Sequence, residues 1–523
     1  VGTRSGELAS WYGLTTTQFN NYTSREKGLR ADKKARLHYA CSALPVAAGT
    51  SSGGSTTVTP PYATTQTFLL HSRPTSAKKI YLDFRGHTTS GTAWNSTYTA
   101  NANIVTPPYD IDGSPSTLST QEHANIQTVW QQVAEDYIAF DVDVTTEDPG
   151  IEALQKTTAS DVNYGKRVVI GGSSMDWLGT AVGGIAYISS FNWNIDTPVF
   201  VFPAQLSAGD PKDIAESCAH EVGHTLGLHH DGTNAGGEYY EGNGNWAPIM
   251  GAGYYANVVQ WSKGEYPDAT NLEDDIAIIA SSIPLITDDV GNTTTLAKQL
   301  TGTSIQSNGV ISNAADQDVF MVNSGAGTIS LALATAAPSP DLCAQLSLAD
   351  STGRVIATST PSINMGTTLS ATVTAGSYYV TVSGVALADW TTGFGDYGSE
   401  GQYILTGTVP SAGTAPIAVV SSSAPLTGTA PVTVAFSSTG SYDPDGTIAS
   451  FSWNFGDGTT STAASPSHSY STAGTYVATL TVKDNAGLAG AASTTVTVTN
   501  NLPPTATATA SATTGAAPLT INF

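Results

Sequence analysis

Hydrophobic positions along the chain change their period more than once. In "TQEHANIQTVWQQVAEDYIAF" (120–140), Ile126, Val129, Trp130, Val133 and Tyr137 recur at three- and four-residue steps, which places them on one helical face. "FDVDVTTEDP" follows and sets Phe140, Val142 and Val144 against acids, the two-residue period of a half-buried strand. "KKIYLDFRG" (78–86), "KRVVIGG" (166–172) and "GGIAYISSFNW" (183–193) read as strands, and "PVFVFPAQL" (198–206) as a buried one. "NLEDDIAIIASSI" (271–283) predicts a closing helix. Residues 73–286 therefore form an α/β region, with most strands ahead of the helix that carries the histidines discussed below.

From 287 onward the pattern is all-β. "DVFMVNS", "GTISLALATA", "CAQLSLADSTGRVIATS", "LSATVTAGSYYVTVSG" and "GQYILTGTV" are strands parted by Gly, Asn and Asp turns. A second β unit runs over 411–499. "TGTAPVTVAF" ends at Phe436 and "TGAAPLTINF" at Phe523, a repeat with an offset of 87 residues. The organisation expected is a basic pro-segment and linker (1–72), an α/β domain (73–286), two β-sandwich domains (287–410 and 411–499), and the start of a further, truncated repeat (500–523). "GTSSGGSTTVTPP" (49–61) reads as a flexible linker.

Composition agrees with this and narrows the function. The chain has 523 residues, too many for one core. Charged residues are 12% and glycines number 52, which favours short strands and turns. The net charge of −23 argues against nucleic acid as a partner and fits a soluble protein working outside the cell or in salty water. No run of 18 apolar residues predicts a membrane span. The chain opens at Val1, so either a secretion signal has been removed or the chain begins inside a precursor. The first 47 residues hold seven of the 19 Lys/Arg against three acids; the remainder has 12 basic and 39 acidic residues. That is the charge of a docked basic pro-segment or of a solvated tail. Three cysteines, Cys41, Cys218 and Cys343, are too few for a disulfide scaffold.

The chemistry is concentrated in "HEVGHTLGLHH" (220–230), which carries four of the nine histidines. It fits H-E-x-x-H-x-x-G-x-x-H, a chance match on the order of 10⁻⁵ in so His-poor a chain. His220 and His224 lie one helical turn apart and project from one face. Glu221 sits about 100° around the same turn. Gly227 can take a left-handed conformation, end the helix and let the chain bring His230 back as a third ligand. Three imidazoles with one open position describe a catalytic zinc site, in which Glu221 is the general base for a zinc-activated water. His229 is read as a non-ligand. Cys218 lies about 200° around the helix and faces away from the metal.

This spacing resembles the metzincin metallopeptidases. The resemblance implies a methionine turn beneath the metal, and Met250 in "NWAPIMGAGYY" fits it. Asp231 after the third histidine resembles the reprolysin (adamalysin) branch, where such an Asp supports the ligands from behind. The tyrosine that astacins and serralysins carry two residues after the methionine is replaced by Ala252; Tyr254 and Tyr255 follow, either packing or stabilising an oxyanion. The family's substrate-pairing edge strand is matched by Gly184, Ile185, Ala186 and Tyr187. Cys41 in "ARLHYACSALP" is expected to fill the fourth zinc position of a zymogen, as pro-segment cysteines do in several metzincins; a disulfide or an idle thiol is the alternative. The region 287–410 resembles the bacterial pre-peptidase C-terminal (PPC) domain. "WNFGDGT" with "AGTYVATLTVKDNAG" resembles a PKD domain, an immunoglobulin-like sandwich.

These readings imply a secreted bacterial zinc endopeptidase, a monomer, acting on proteins or peptides that include collagen-like or other matrix proteins. Calcium is a second candidate ion, at acidic runs such as "NLEDD", which otherwise read as solvated helix starts. Two alternatives stay open: a matrix-binding adhesin whose β modules do the work, and an amidohydrolase acting on non-protein substrates.

Overall fold

In a computed structural model, the described residues are 5–12, 15–42, 59–360, 366–390, 392–423, 425–485 and 487–522. Most of the predicted linker, residues 49–58, lies outside them. The chain falls into two compact units, one built mainly from residues up to Val409 and the other mainly from Pro410 onward.

The first unit is organised by a seven-stranded sheet. Its strands are β1 (Leu29–Ala31), β2 (Leu37–Cys41), β3 (Lys78–Asp83), β6 (Asp143–Thr145), β7 (Tyr164–Ile170), β8 (Gly184–Tyr187) and β9 (Val199–Val201), in the order β1-β2-β8-β9-β7-β3-β6. A hairpin of β4 (His87–Thr89) and β5 (Ile104–Thr106) and a parallel pair, β10 (Trp246–Pro248) and β11 (Val258–Gln260), stand apart from it. The helices are α1 (Ser5–Trp11), α2 (Thr16–Arg25), α3 (Ala93–Tyr98), α4 (Thr120–Asp136), α5 (Pro211–Leu226) and α6 (Asp275–Ala280). Strands β9, β7, β3 and β6 pair in parallel. Helix α4 starts on a Ser119–Glu122 capping box and buries Ile126, Val129 and Val133, as the periodicity predicts. The Tyr137 hydroxyl donates to the Ala219 carbonyl of α5 at 3.0 Å, which ties the two helices together.

Two expectations are corrected here. The segment 183–193 is strand only as far as Tyr187. Ser189 then takes a left-handed turn (φ 54°), and the amides of Ser189 and Phe191 donate to the carbonyls of His224 and Thr225 at 2.9 Å each. The end of α5 thus captures the chain. Strand β8 is also not an edge. It pairs with β9 on one side and, antiparallel, with β2 of the N-terminal arm on the other. The basic arm is therefore a folded part of the sheet rather than a tail.

Residues 298–408 form a sandwich of a five- and a four-stranded sheet, most of which belongs to the same unit. Gln402 donates to the buried Glu135 carboxylate at the end of α4 (2.8 Å), and Trp246 lies edge-on to Trp390 with centroids 5.4 Å apart. The second unit is another sandwich, of three and five strands, around Val434, Phe436, Trp453, Phe455, Tyr470 and Leu480. The aromatics of "WNFGDGT" are thus core residues. No strand lies beyond Thr499 among the described residues.

Gly165 of β7 faces Lys79 of β3 so closely that an added Cβ would collide with the Lys79 carbonyl. Gly165→Ala should cost roughly 1–3 kcal/mol, seen as a lower melting temperature of the first unit. An unchanged melting temperature would contradict this packing.

Candidate metal centre

Helix α5 is buried along most of its length and is fixed at both ends. Asp210 accepts the amides of Lys212 and Asp213, and Pro211 sits where its missing N–H costs nothing. At the other end Gly227 has φ 115°, a left-handed cap that turns the chain out of the helix. His220 and His224 then share one face, and His230 returns beside them.

Each imidazole is held by its other nitrogen. His220 Nδ1 donates to the Ile249 carbonyl (2.9 Å), and His224 Nδ1 to the Leu228 carbonyl (2.8 Å). His230 Nδ1 lies 2.7 Å from Glu26 Oε2 and 3.1 Å from Glu238 Oε1. These tethers fix the tautomers and aim three Nε2 atoms at a common point. Cys41 Sγ completes the set, at 3.6 Å from His220 Nε2 and 3.4 Å from both His224 Nε2 and His230 Nε2. All four donors lie within 4.8 Å of one another and are buried.

The donor set fits zinc. Zn–N bonds of about 2.0 Å and a Zn–S bond of about 2.3 Å give tetrahedral edges of roughly 3.3–3.6 Å, close to the observed spacings. Nitrogen and sulfur donors also suit zinc better than hard oxygen-seeking cations. Burial pulls His220 down to about 3 and His224 well below the usual imidazole range, so both are neutral donors. Burial works the same way on His230, but the Glu26 and Glu238 carboxylates outweigh it and raise the ring to about 9. Burial, then Glu221, push the Cys41 thiol well above its ordinary value. Glu221 itself is wholly buried, is pushed up to about 8 by burial, and has both carboxylate oxygens without a hydrogen-bond partner.

The surroundings make room for this carboxylate. A Cβ at Gly184 would collide with Glu221, so the cleft strand needs glycine at that point. Met250 is fully buried, and its sulfur would lie 2.7 Å from a Cβ at Gly223, so the methionine packs tightly under α5. The Asp231 amide donates to the Met250 carbonyl at 2.8 Å. The Asp231 carboxyl, pushed up to about 8 by burial and then by Glu273, lies by Tyr266. The expected support of His230 by Asp231 falls instead to Glu26 and Glu238. His229 turns away and pairs with Glu273 at 2.7 Å. Glu273, Asp274 and Asp275 of "NLEDD" serve as the His229 partner, the α6 cap and the acceptor of the Ser262 amide. Tyr254 is half-buried, and Tyr255 is exposed.

Sequence reasoning missed Glu26, Glu238 and Tyr239. Tyr239 packs its ring 4.4 Å from that of His230, and its buried hydroxyl sits beside the Cys41 thiol. Glu238 also accepts the amides of Lys27 (2.9 Å) and Gly28 (3.1 Å) of the arm. No local spacing marks these residues.

Comparison with known proteins finds relatives of the C-terminal modules. Residues 413–499 match the family described as PKD domain. A 63-residue stretch is 51% identical to Collagenase ColA of Bacillus cereus, covering 12% of this chain and 7% of that protein. Among solved structures, the PKD1 domain of the Vibrio cholerae metalloprotease PrtV is 39% identical, covering 16% of this chain and 98% of that domain, with a TM-score of 0.15. The pre-peptidase C-terminal domain of a Bacillus anthracis collagenase is 17% identical, covering 23% of this chain and all of that domain, with a TM-score of 0.17. The chain is thus similar to the C-terminal regions of bacterial collagenases and metalloproteases, and it spans a small part of the length of the collagenase it matches.

All three cysteines are free and buried. Thiol titration should find three thiols after unfolding and none reacting rapidly before it; a disulfide, or a fast native thiol, would contradict this arrangement. Replacing Glu26 and Glu238 together by Gln should weaken zinc binding roughly 10- to 100-fold, measured by competition with a chelator. Glu26→Gln alone should do less, because Glu238 remains in reach.

Proposed function

We propose that the first unit is a latent zinc endopeptidase of the metzincin type, with His220, His224 and His230 as metal ligands and Cys41 as the inhibitory fourth ligand. The observation that carries this reading is the placement of Cys41 Sγ 3.4–3.6 Å from all three Nε2 atoms. Zinc, when bound, polarises a peptide carbonyl and makes water acidic enough to yield its proton near neutral pH.

The chain's own residues supply the rest. The free carboxylate oxygens of Glu221 take a proton from the attacking water and return it to the leaving amine nitrogen. The Tyr239 hydroxyl, set beside the fourth ligand position, is placed to donate to the developing oxyanion. Strand β8 offers its main chain to an extended peptide once β2 has left. In the latent form β2 covers β8 and Cys41 fills the position a substrate would need. Calcium fits a second site, where Asp288, from the connection ahead of the first sandwich, meets Asp316 and Asp318 within it, and one oxygen each of Asp316 and Asp318 is buried without a partner.

The similarity of the C-terminal modules to those of named collagenases supports extracellular protein, collagen included, as the substrate class. No helix among the described residues is long and apolar enough to cross a membrane.

Glu221→Ala should lower hydrolysis of casein or gelatin by roughly 10²- to 10⁴-fold, with zinc content unchanged. Full activity in that variant would remove Glu221 as the base. Cys41→Ser should raise the activity of the full chain, and latency unchanged by that substitution would overturn Cys41 as the inhibitor.

A further inference from the structure

The arm grips the cleft through more than its cysteine. Along β2 the side chains alternate. Tyr39 and Cys41 face the metal ligands, with the Tyr39 ring stacked 4.2 Å from that of His224. His38 turns the opposite way, into a recess walled by Trp94, Tyr98 and Tyr187, with ring centroids 5.4, 5.8 and 5.0 Å away. His38 Nε2 lies 2.7 Å from the Tyr98 hydroxyl, and the ring is only 1% exposed. Two residues earlier, Arg36 lies over the rings of Tyr187 and Trp193 at 5.4 and 5.0 Å.

Neither task already assigned to the arm calls for this histidine. Cys41, Tyr39 and Glu26 are the arm residues that meet the metal ligands, and His38 touches none of them. The walls of the recess belong to α3 and β8, so they remain when the arm departs.

We propose that the Trp94–Tyr98–Tyr187 recess is a substrate subsite, that His38 occupies it in place of a substrate side chain, and that the enzyme prefers peptides carrying histidine or another flat aromatic residue there. This inference rests on the peptidase reading of the metal centre and adds to it a substrate class. A peptide lying along β8 in the direction of β2 places that residue three positions before the one that meets the metal, the separation of His38 from Cys41. Aromatic walls favour ring edges and offset faces over aliphatic chains. The Tyr98 hydroxyl rewards a ring with a polar edge. Burial, and then Arg30 of the arm itself, hold His38 down to about 4, so His38 sits in the recess as a neutral ring.

The test is cleavage of a peptide library by the full chain after proteolytic release and removal of the arm. Histidine, tyrosine, phenylalanine or tryptophan should be enriched over alanine roughly 5- to 10-fold in kcat/KM, about three or four residues before the cleaved bond. Tyr98→Phe should raise KM for histidine-bearing peptides by more than it raises KM for peptides with alanine in that place. An arm-derived peptide spanning 35–42, with serine for cysteine, should inhibit competitively and lose roughly 5-fold in potency when its histidine is replaced by alanine; this arm needs no altered enzyme. Cleavage with no preference at those positions, or equal inhibition by the two peptides, overturns the subsite and leaves the peptidase reading standing. Absence of any cleavage by zinc-loaded, arm-free protein overturns both.

Discussion

Four buried donor groups, from chain positions as far apart as 41 and 230, point at one place, and the first unit is arranged around the need to hold them there. Three imidazoles, a thiol and an unpartnered carboxylate at Glu221 would be a costly cluster to bury without a cation among them. Every structural device around the cluster serves its geometry. Asp210 and Gly227 fix the ends of α5, carbonyls and carboxylates hold each imidazole by its second nitrogen, and Gly184 clears space for Glu221.

The arm is bound to this centre at several points. Cys41 reaches the three imidazoles, Glu26 holds the far nitrogen of His230, and the Lys27 and Gly28 amides occupy Glu238. Strand β2 completes the sheet beside β8. Departure of the arm would leave Glu238 free to take over His230. The same event would open the β8 main chain, the position held by Cys41 and the aromatic recess together. In the proposed enzyme, latency and specificity are therefore written into the same five residues, Leu37–Cys41.

What the sequence makes legible follows from how local each feature is. The H-E-x-x-H-x-x-G-x-x-H spacing is set by one helix and its cap, so the converging histidines and the left-handed Gly227 can be read directly. The α4 face and the sandwich strands follow from simple periodicity in the same way. Contacts between distant segments leave no such trace. The pairing of β2 with β8 joins residues nearly 150 positions apart, so β8 reads as an open edge when it is an interior strand. Glu26 and Glu238 reach His230 from unrelated loops, and Asp231, its neighbour in sequence, looks like the natural support but packs by Tyr266. In the sequence Cys41 is marked only as a cysteine in a basic arm; its position over the histidines is a property of the folded chain.

The central claim is that one zinc ion is shared by three imidazoles and the Cys41 thiolate. Zinc-edge X-ray absorption on the unprocessed full chain tests it most directly. The account predicts one zinc per chain with a single sulfur neighbour at about 2.3 Å and three nitrogens at about 2.0 Å, and loss of the sulfur shell in Cys41→Ser. A chain that takes up no stoichiometric zinc, or a first shell without sulfur in the unaltered protein, would contradict it.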